Sequence, residues 1–342
     1  MSTTSLLDAA RLPALLDAIA GKARLVAPAT LAGAGTIFLR PVASAAEIAP
    51  PTAYINPRNS IKEFLFPCTE PILAFERQPD ALALSQPETA FPPTVVFGCR
   101  PCDARSLLVM DPLYNWDYRD PFWNCRRAAT TVIAIACTRA DEACFCTALG
   151  SAPNATDGAD ILLTPLPEGR FLAEILTPKG QAIADLAPDA FTPGTADKQA
   201  PCQPAFDALP PRLDLGRITA WLAENFENPL WPPLSYKCWG CGCCTFLCPT
   251  CHCFDIADEG TYRRGTRRKN WDACQFGTFT LHASGHNPRP DQAARWRQRI
   301  QHKFNYYVQK FSVRSCVGCG RCIRHCPVNM NILSHLTQIA AL

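Results

Sequence analysis

The stretch YKCWGCGCCTFLCPTCHCF, residues 236–254, places seven cysteines within nineteen positions. Four of them follow a fixed spacing: two residues separate the first three, three residues precede the fourth, and a proline comes directly after it. They are Cys238, Cys241, Cys244 and Cys248, with Pro249 next. Steps of three residues let one loop place three thiols around one face of a metal cluster, and the proline then turns the chain away. The stretch therefore predicts a cluster-binding loop.

The same spacing returns in RSCVGCGRCIRHCPVNM, residues 314–330, with Pro327 after the fourth cysteine. In proteins with two such arrays, the fourth cysteine of each array ligates the cluster of the other array. We therefore expect two [4Fe–4S] clusters with exchanged ligands. The first cluster would use Cys238, Cys241, Cys244 and Cys326, and the second would use Cys316, Cys319, Cys322 and Cys248.

Two zinc sites are the alternative for these arrays. Zinc ligands usually come as separated pairs rather than as three cysteines in steps of three, so the spacing favours iron–sulfur clusters. The long insert between the arrays, residues 249–315, contains the helix-prone run DQAARWRQRIQHKFNYYVQKF and favours a helical type of two-cluster ferredoxin. Three further thiols, Cys243, Cys251 and Cys253, lie outside the ligand pattern and either pack beside a cluster or form another metal site.

Composition limits the class of protein. The chain has 342 residues, of which 48% are apolar, and this is enough for two folded domains. Twenty cysteines crowded into short arrays, with no export signal, indicate metal binding in a reducing compartment, so we expect a cytoplasmic protein. No apolar run is long enough to span a bilayer, and we expect no membrane insertion.

Apolar strands alternate with helices in the first part of the chain. Thr94–Phe97 reads as a buried strand that leads into a helix capped by Asp103, and TTVIAIACTRADEACFC, residues 130–146, begins with a second buried strand. We therefore expect an α/β domain with a largely parallel sheet over residues 1–212. A mostly α-helical ferredoxin domain would follow over residues 213–342.

The loops after these two strands carry five cysteines. The carboxyl ends of parallel strands meet at one edge of a sheet, where ligands collect. We expect Cys102, Cys137, Cys144 and Cys146 to converge there as ligands of a third iron–sulfur cluster, with Cys99 in reserve. The alternative is that these cysteines are buried small side chains or free thiols without a metal.

A basic run, YRRGTRRKNW, covers residues 262–271. Such a run can indicate nucleic-acid binding, but it is more often a solvated face, and here it can also dock an acidic partner. We expect no nucleic-acid binding. Arg263, Arg264, Arg267 and Arg268 are candidates for a docking face. The sequence indicates no flavin or nicotinamide site, because GAGT at residues 33–36 lacks the third glycine of a dinucleotide-binding motif.

Four first-domain motifs, together with the two arrays, resemble a known family. The chain is similar to the iron–sulfur beta subunit of soluble sulfhydrogenase-type [NiFe] hydrogenases and to the A subunit of anaerobic sulfite reductase. The motifs are IKEFLFPCTEPIL (residues 61–73), FGCRPCDARSLLVMD (97–111), DPFWNCRR (120–127) and ACTRADEACFCTALGSAP (136–153).

The resemblance implies an electron-transfer subunit within a multi-subunit oxidoreductase. Its partners would be a subunit that binds flavin and nicotinamide and a catalytic subunit, either a [NiFe] hydrogenase or a sulfite reductase. The resemblance does not choose between these two branches. The enzymatic alternative is that the first-domain cysteines reduce a sulfur compound or a disulfide, which predicts turnover by the isolated chain.

Overall fold

The computed structural model describes residues 3–342. Within this range the chain forms twelve strands in two sheets and thirteen short α-helices. The strands are β1 (Thr3–Asp8), β2 (Arg24–Thr30), β3 (Ile37–Pro41), β4 (Thr69–Arg77), β5 (Leu82–Ser85), β6 (Thr94–Cys99), β7 (Thr130–Ile135), β8 (Ile161–Leu166), β9 (Arg170–Ile175), β10 (Phe191–Pro193), β11 (Phe254–Gly260) and β12 (Arg264–Trp271). The α-helices are α1 (Leu12–Ala20), α2 (Lys62–Leu65), α3 (Pro101–Met110), α4 (Pro121–Ala129), α5 (Pro178–Ala184), α6 (Gln203–Asp207), α7 (Leu215–Glu224), α8 (Trp231–Ser235), α9 (Cys243–Phe246), α10 (Gln292–Gln301), α11 (Tyr307–Phe311), α12 (Arg321–Arg324) and α13 (Ile332–Ala341).

The larger sheet has eight strands in the order β10-β1-β9-β8-β7-β6-β2-β3. Its central strands β2, β6, β7 and β8 are parallel, and the pairings on both sides of them are antiparallel. The expectation of a largely parallel sheet is therefore corrected to a partly parallel one. The reason is that short connections join β2 to β3 and β8 to β9, and a short connection can link only antiparallel neighbours.

The two strands predicted from their apolar runs are present as β6 and β7. Every residue of β6 is buried, as is typical of a parallel strand covered on both faces. The helix after β6 begins at Pro101, so Asp103 is its third residue and not its cap. The Asp103 carboxylate accepts a hydrogen bond from the Arg100 backbone N–H at 3.4 Å. Because β6 and β7 are neighbouring parallel strands, the thiol-bearing loops that follow them lie at one edge of the sheet.

The second part of the chain is only partly helical, which corrects the expectation of a mostly α-helical domain. Helices α7, α8, α10 and α13 surround an apolar core that includes Trp231, Ile300 and Leu336. The basic run forms β12, which pairs with β11 as a hairpin. Nearly all residues of β11 are exposed, so its charged side chains remain in contact with water, whereas most residues of β12 are half-buried and Lys269 is buried.

The smaller sheet joins strands from both parts of the chain in the order β11-β12-β4-β5. Strand β4 pairs antiparallel with β12, so that Glu70 lies opposite Lys269. Glu70 is buried and forms ion pairs with Lys269, at 3.2 Å, and with Arg126 of α4. A buried carboxylate with two cationic partners fixes this pairing, because its charge needs compensation away from water.

One continuous helical segment crosses the second part of the chain. It runs from α10 through a π-helical turn, His302–Tyr306, into α11. Such wide turns are rare and often occur at functional sites. Among residues 3–342, no helix is long and apolar enough to cross a membrane.

Candidate iron–sulfur sites

The two cysteine arrays fold into loops with the same backbone conformation. In each loop the two glycines have positive φ angles, 70° and 74° at Gly240 and Gly242 and 66° and 76° at Gly318 and Gly320. Positive φ is unstrained for glycine, and it lets a short loop curl around a cluster with its N–H groups turned inward. The repeated spacing in the sequence thus corresponds to a repeated loop structure.

The first cavity, of about 390 Å³, is lined by the four thiols expected to ligate the first cluster, which come from both loops: Cys238, Cys241, Cys244 and Cys326. Cys243 and Cys322 also line it. Two of these sulfur atoms accept hydrogen bonds from neutral groups. Gln292 Nε2 donates to Cys238 Sγ at 3.1 Å, and the Met330 backbone N–H donates to Cys326 Sγ at 3.2 Å. Such N–H···S bonds are what a thiolate ligand of a cluster requires.

The second cavity, of about 310 Å³, is lined by the remaining array thiols: Cys248, Cys316, Cys319 and Cys322. Two cationic side chains, Arg299 and Lys303, also line it. Burial opposes the charge on Lys303, but the Coulombic interaction with Cys248 beside it raises the pKa of Lys303 above its ordinary value. Lys303 is therefore charged, and the cavity fits a group with negative charge.

The third cavity, again of about 390 Å³, lies at the edge of the larger sheet and is lined by Cys102, Cys137, Cys144 and Cys146. The structure thus brings together the four thiols that the strand argument selects. Cys102 lies in the first turn of α3, whose positive end favours a negatively charged group nearby. Burial raises the pKa of Cys144 and that of Cys146 to about 12, so these thiols are protonated at neutral pH unless a metal displaces the proton.

The three cavities follow one another in space. Cys322 lines the first and second cavities, and Cys319 lines the second and third. The loop of the second array also touches the Cys144–Cys146 loop directly. A Cβ atom at Gly318 would lie 2.6 Å from the Cys146 Cα atom, and one at Gly320 would lie 2.5 Å from the Ala143 carbonyl oxygen. Only glycine permits this contact, so the second cavity is held next to the third.

Two ion pairs also join the second array to the loops that carry the third set of thiols. Arg321 and Asp103 are both fully buried and form a bidentate pair, with distances of 2.7 and 2.9 Å. Arg324 forms a second bidentate pair with Asp141, at 2.7 and 2.6 Å. In addition, Asn56 Nδ2 donates to the Cys319 carbonyl oxygen at 2.7 Å. These contacts fix the second array against both loops that carry the third set of thiols.

The thiols outside the three sets make other contacts, although Cys243 also lines the first cavity. Cys243 Sγ donates to the His325 carbonyl oxygen at 3.3 Å, as a protonated thiol does. Cys99 lies in the apolar core and does not line the third cavity. Cys251 receives a hydrogen bond from Arg299 at 3.5 Å. Among residues 3–342, no group of three or more Cys, His, Asp or Glu side chains is arranged around a single metal ion.

Sequence reasoning missed the buried charges around these thiols. Arg299 and Lys303 lie four residues apart, beside the apolar positions Trp296, Ile300 and Phe304 of one helical stripe. Cations that adjoin an apolar stripe at helical spacing are a weak signal for burial, because the same pattern also describes solvated residues at the edge of a helix face.

Comparison of the sequence with known proteins shows which family the chain belongs to. Residues 237–330 match a model described as a 4Fe-4S dicluster domain, and this range encloses all eight array cysteines. The chain is also 32% identical, over 250 residues, to the sulfhydrogenase 2 subunit beta of Pyrococcus furiosus, which covers 72% of this chain and 73% of that protein. The chain belongs to the sulfhydrogenase beta-subunit family. No solved structure matches it.

Membership in the sulfhydrogenase beta-subunit family confirms the resemblance that the sequence motifs indicate. The dicluster domain confirms two [4Fe–4S] clusters as cofactors, and the chain is an iron–sulfur protein. Its donor sets fit these groups, because each of the first two cavities is lined by the four thiols that the spacing assigns to one cluster, and the second also by two buried cations. The clusters, when bound, accept and donate single electrons. The chain provides their ligands, shields them from water and surrounds them with charged groups.

Proposed function

We propose that this chain is an electron-transfer subunit with three [4Fe–4S] clusters in a row. The observation that carries this proposal is the order of the three thiol-lined cavities, in which neighbouring cavities share Cys322 or Cys319 as a lining residue. Adjacent clusters are a natural arrangement for passing single electrons across a protein.

The proposed ligands are the residues selected from the sequence. They are Cys238, Cys241, Cys244 and Cys326 for the first cluster, Cys316, Cys319, Cys322 and Cys248 for the second, and Cys102, Cys137, Cys144 and Cys146 for the third. The surrounding N–H groups, cations and apolar side chains then set the cluster potentials.

The proposed partners follow from the family. The relative is by name a subunit of a sulfhydrogenase, and this favours a catalytic subunit of the [NiFe] hydrogenase type over one of the sulfite reductase type. A subunit that binds flavin and nicotinamide would exchange electrons at the other end. The twenty cysteines, many of them in cluster-binding spacings, support a cytoplasmic location, where thiols remain reduced.

The basic hairpin supports a protein partner rather than a nucleic acid. Arg267 is paired with Asp258 at 2.8 Å, and Arg268 lies 3.5 Å from Glu259, so part of the positive charge is already neutralised. Arg263 and Arg264 lie exposed near the tip of the same hairpin. A mixed, solvated charge pattern of this kind suits a specific interface better than binding to a phosphate backbone.

The number of clusters can be tested by a metal count on matched variants. The chain, purified without oxygen, should contain about twelve irons and twelve sulfides, and Cys137→Ser should lose about four of each while it keeps the spectra of the dicluster domain. Cys125→Ser is the control, because Cys125 is also half-buried but lines none of the three cavities. About eight irons in the unsubstituted chain would refute the third cluster.

The relay itself can be tested in the complex with the partner subunits. Cys137→Ser should slow electron flow between reduced nicotinamide and the catalytic subunit, while hydrogen oxidation with a dye that accepts electrons directly from the catalytic subunit should stay unchanged. The enzymatic alternative makes a different prediction. It requires the isolated chain to reduce polysulfide or a disulfide repeatedly with an artificial electron donor, whereas a carrier takes up electrons and stops.

A further inference from the structure

Two buried cations beside the second cavity have no carboxylate partner. Arg299 is 2% exposed and Lys303 is 3% exposed. In the described chain, residues 3–342, neither forms an ion pair with Asp or Glu, whereas the equally buried Arg321 is paired with Asp103. Burial of a cation without a counter-charge is strongly unfavourable, because the charge loses its hydration by water. A compensating negative charge must therefore lie close by.

The contacts of Lys303 point to that negative charge. Its ammonium group donates to the Ser315 carbonyl oxygen at 2.7 Å, to Thr250 Oγ1 at 3.3 Å and to Cys248 Sγ at 3.4 Å. Ser315 directly precedes the first cysteine of the second array. The carbonyl and the hydroxyl hold the ammonium group in place, and the remaining contact is with a sulfur atom that lines the second cavity.

Arg299 approaches the second cavity from the preceding helical turn. Its Nη2 atom donates to the Cys244 carbonyl oxygen at 2.9 Å, and its Nη1 atom lies 3.5 Å from both Cys251 Sγ and Thr245 Oγ1. Its Nε atom is buried without a hydrogen-bond partner. The guanidinium group thus lies between the loop of the first array and the second cavity, and it makes no contact with a carboxylate.

The first cavity offers a contrast within the same domain. Its lining residues include no lysine or arginine, and its hydrogen-bond donors to sulfur are the neutral Gln292 amide and the Met330 backbone N–H. A cluster held by four thiolates carries net negative charge, and reduction adds one more unit of it. A fixed positive charge near one cluster therefore stabilises the reduced form of that cluster over its neighbour.

We propose that Lys303, supported by Arg299, raises the reduction potential of the second cluster above that of the first, so that an electron shared between these two clusters rests on the second. This inference deepens the proposed electron-transfer function and rests on it. It depends only on the two clusters of the dicluster domain, and not on the third. The π-helical turn has a specific part in it, because this turn carries Lys303 toward Cys248 at the point where α10 ends.

The test is a redox titration of the holoprotein followed by electron paramagnetic resonance of both dicluster signals. Lys303→Met should lower the midpoint potential of the second cluster and leave that of the first unchanged, whereas Lys303→Arg, which keeps the charge, should restore most of the shift. Lys310→Met is the control, because Lys310 lies over the exposed Trp116 ring, with its Nζ atom 3.7 Å from the ring centroid.

Lys303→Gln separates charge from hydrogen bonding, since the amide can still donate to the Ser315 carbonyl oxygen. A lowered potential in Lys303→Gln, with iron content unchanged, supports the inference. An unchanged potential in an assembled Lys303→Met or Lys303→Gln protein overturns it, as does an equal shift of both clusters. The iron count of the unsubstituted chain and the effect of Cys137→Ser on electron flow do not depend on Lys303, so a failure here is distinct from a failure of the proposed relay.

Discussion

Loss of the Arg321 guanidinium should destabilise the protein strongly, because it would leave the Asp103 carboxylate buried without a counter-charge. Both side chains are 0% exposed, and two hydrogen bonds of 2.7 and 2.9 Å join them. Removal of one member of a buried pair costs about 3–5 kcal/mol. Arg321→Met should therefore lower the free energy of unfolding by about that amount.

The size of this effect comes mainly from the orphaned charge and not from the lost contact itself. Replacement of a buried ion pair by apolar side chains of similar volume is often neutral or stabilising. Arg321→Met combined with Asp103→Leu should therefore recover much of the lost stability. The recovery should be incomplete, because Asp103 also accepts from the Arg100 backbone N–H and Arg321 donates to the Pro57 carbonyl oxygen at 2.9 Å.

The matched control is Arg267→Met. Arg267 and Asp258 form a bidentate pair of similar geometry, at 2.8 and 2.8 Å, but their side chains are 48% and 50% exposed. Water compensates a free carboxylate there, so this variant should show no measurable change. Urea unfolding without oxygen, followed by circular dichroism and iron release, provides the comparison. Equal stability of the Arg321→Met and Arg267→Met variants would show that burial of the pair does not set its cost.

Two further predictions concern packing and pH. Gly318→Ala should cause loss of iron from the chain, because the added Cβ atom would lie 2.6 Å from the Cys146 backbone and the residue has a φ of 66°. The control is Gly285→Ala, which should keep its iron because Gly285 has a similar φ of 84° but no atom lies within 4 Å of an added Cβ. Equal iron content in the two variants would contradict this prediction. Burial lowers the pKa of His335 to about 4, and Trp296 Nε1 donates to its Nδ1 atom at 3.1 Å. The unfolded chain therefore binds a proton that the folded chain does not, and stability should fall as the pH decreases from about 6.5 toward 4. Urea titrations at several pH values should show a shallower decline for His335→Gln, and parallel curves would exclude this histidine as a cause.

The array cysteines were predictable from the sequence because their chemistry depends on short spacings. Three thiols in steps of three, glycines between them and a proline after the fourth cysteine define the loop locally, and the fold has little freedom to alter it. The convergence of Cys102 with Cys137 was also predictable, since strands β6 and β7 are neighbouring and parallel. Their ligand role stays a prediction.

The remaining features depend on long-range packing. The charges of β12 read as a solvated run, but Lys269 meets Glu70 about two hundred residues away, and no local pattern indicates such a pairing. The antiparallel strands beside the parallel core follow from the geometry of short turns, which apolar periodicity does not reveal. The domain boundary at residue 212 also stays a prediction, and β4 pairs with β12 across it.

The pairing of β4 with β12 has a consequence for how the protein is made. During synthesis, Glu70 leaves the ribosome long before Lys269 exists, so the nascent chain must carry an incomplete sheet and a poorly compensated acidic side chain for most of translation. Strand β4 can meanwhile pair with β5 alone, and an isolated two-stranded hairpin is only marginally stable. The smaller sheet, and with it the full charge compensation of Glu70, can therefore be completed only after more than two thirds of the chain has been synthesised.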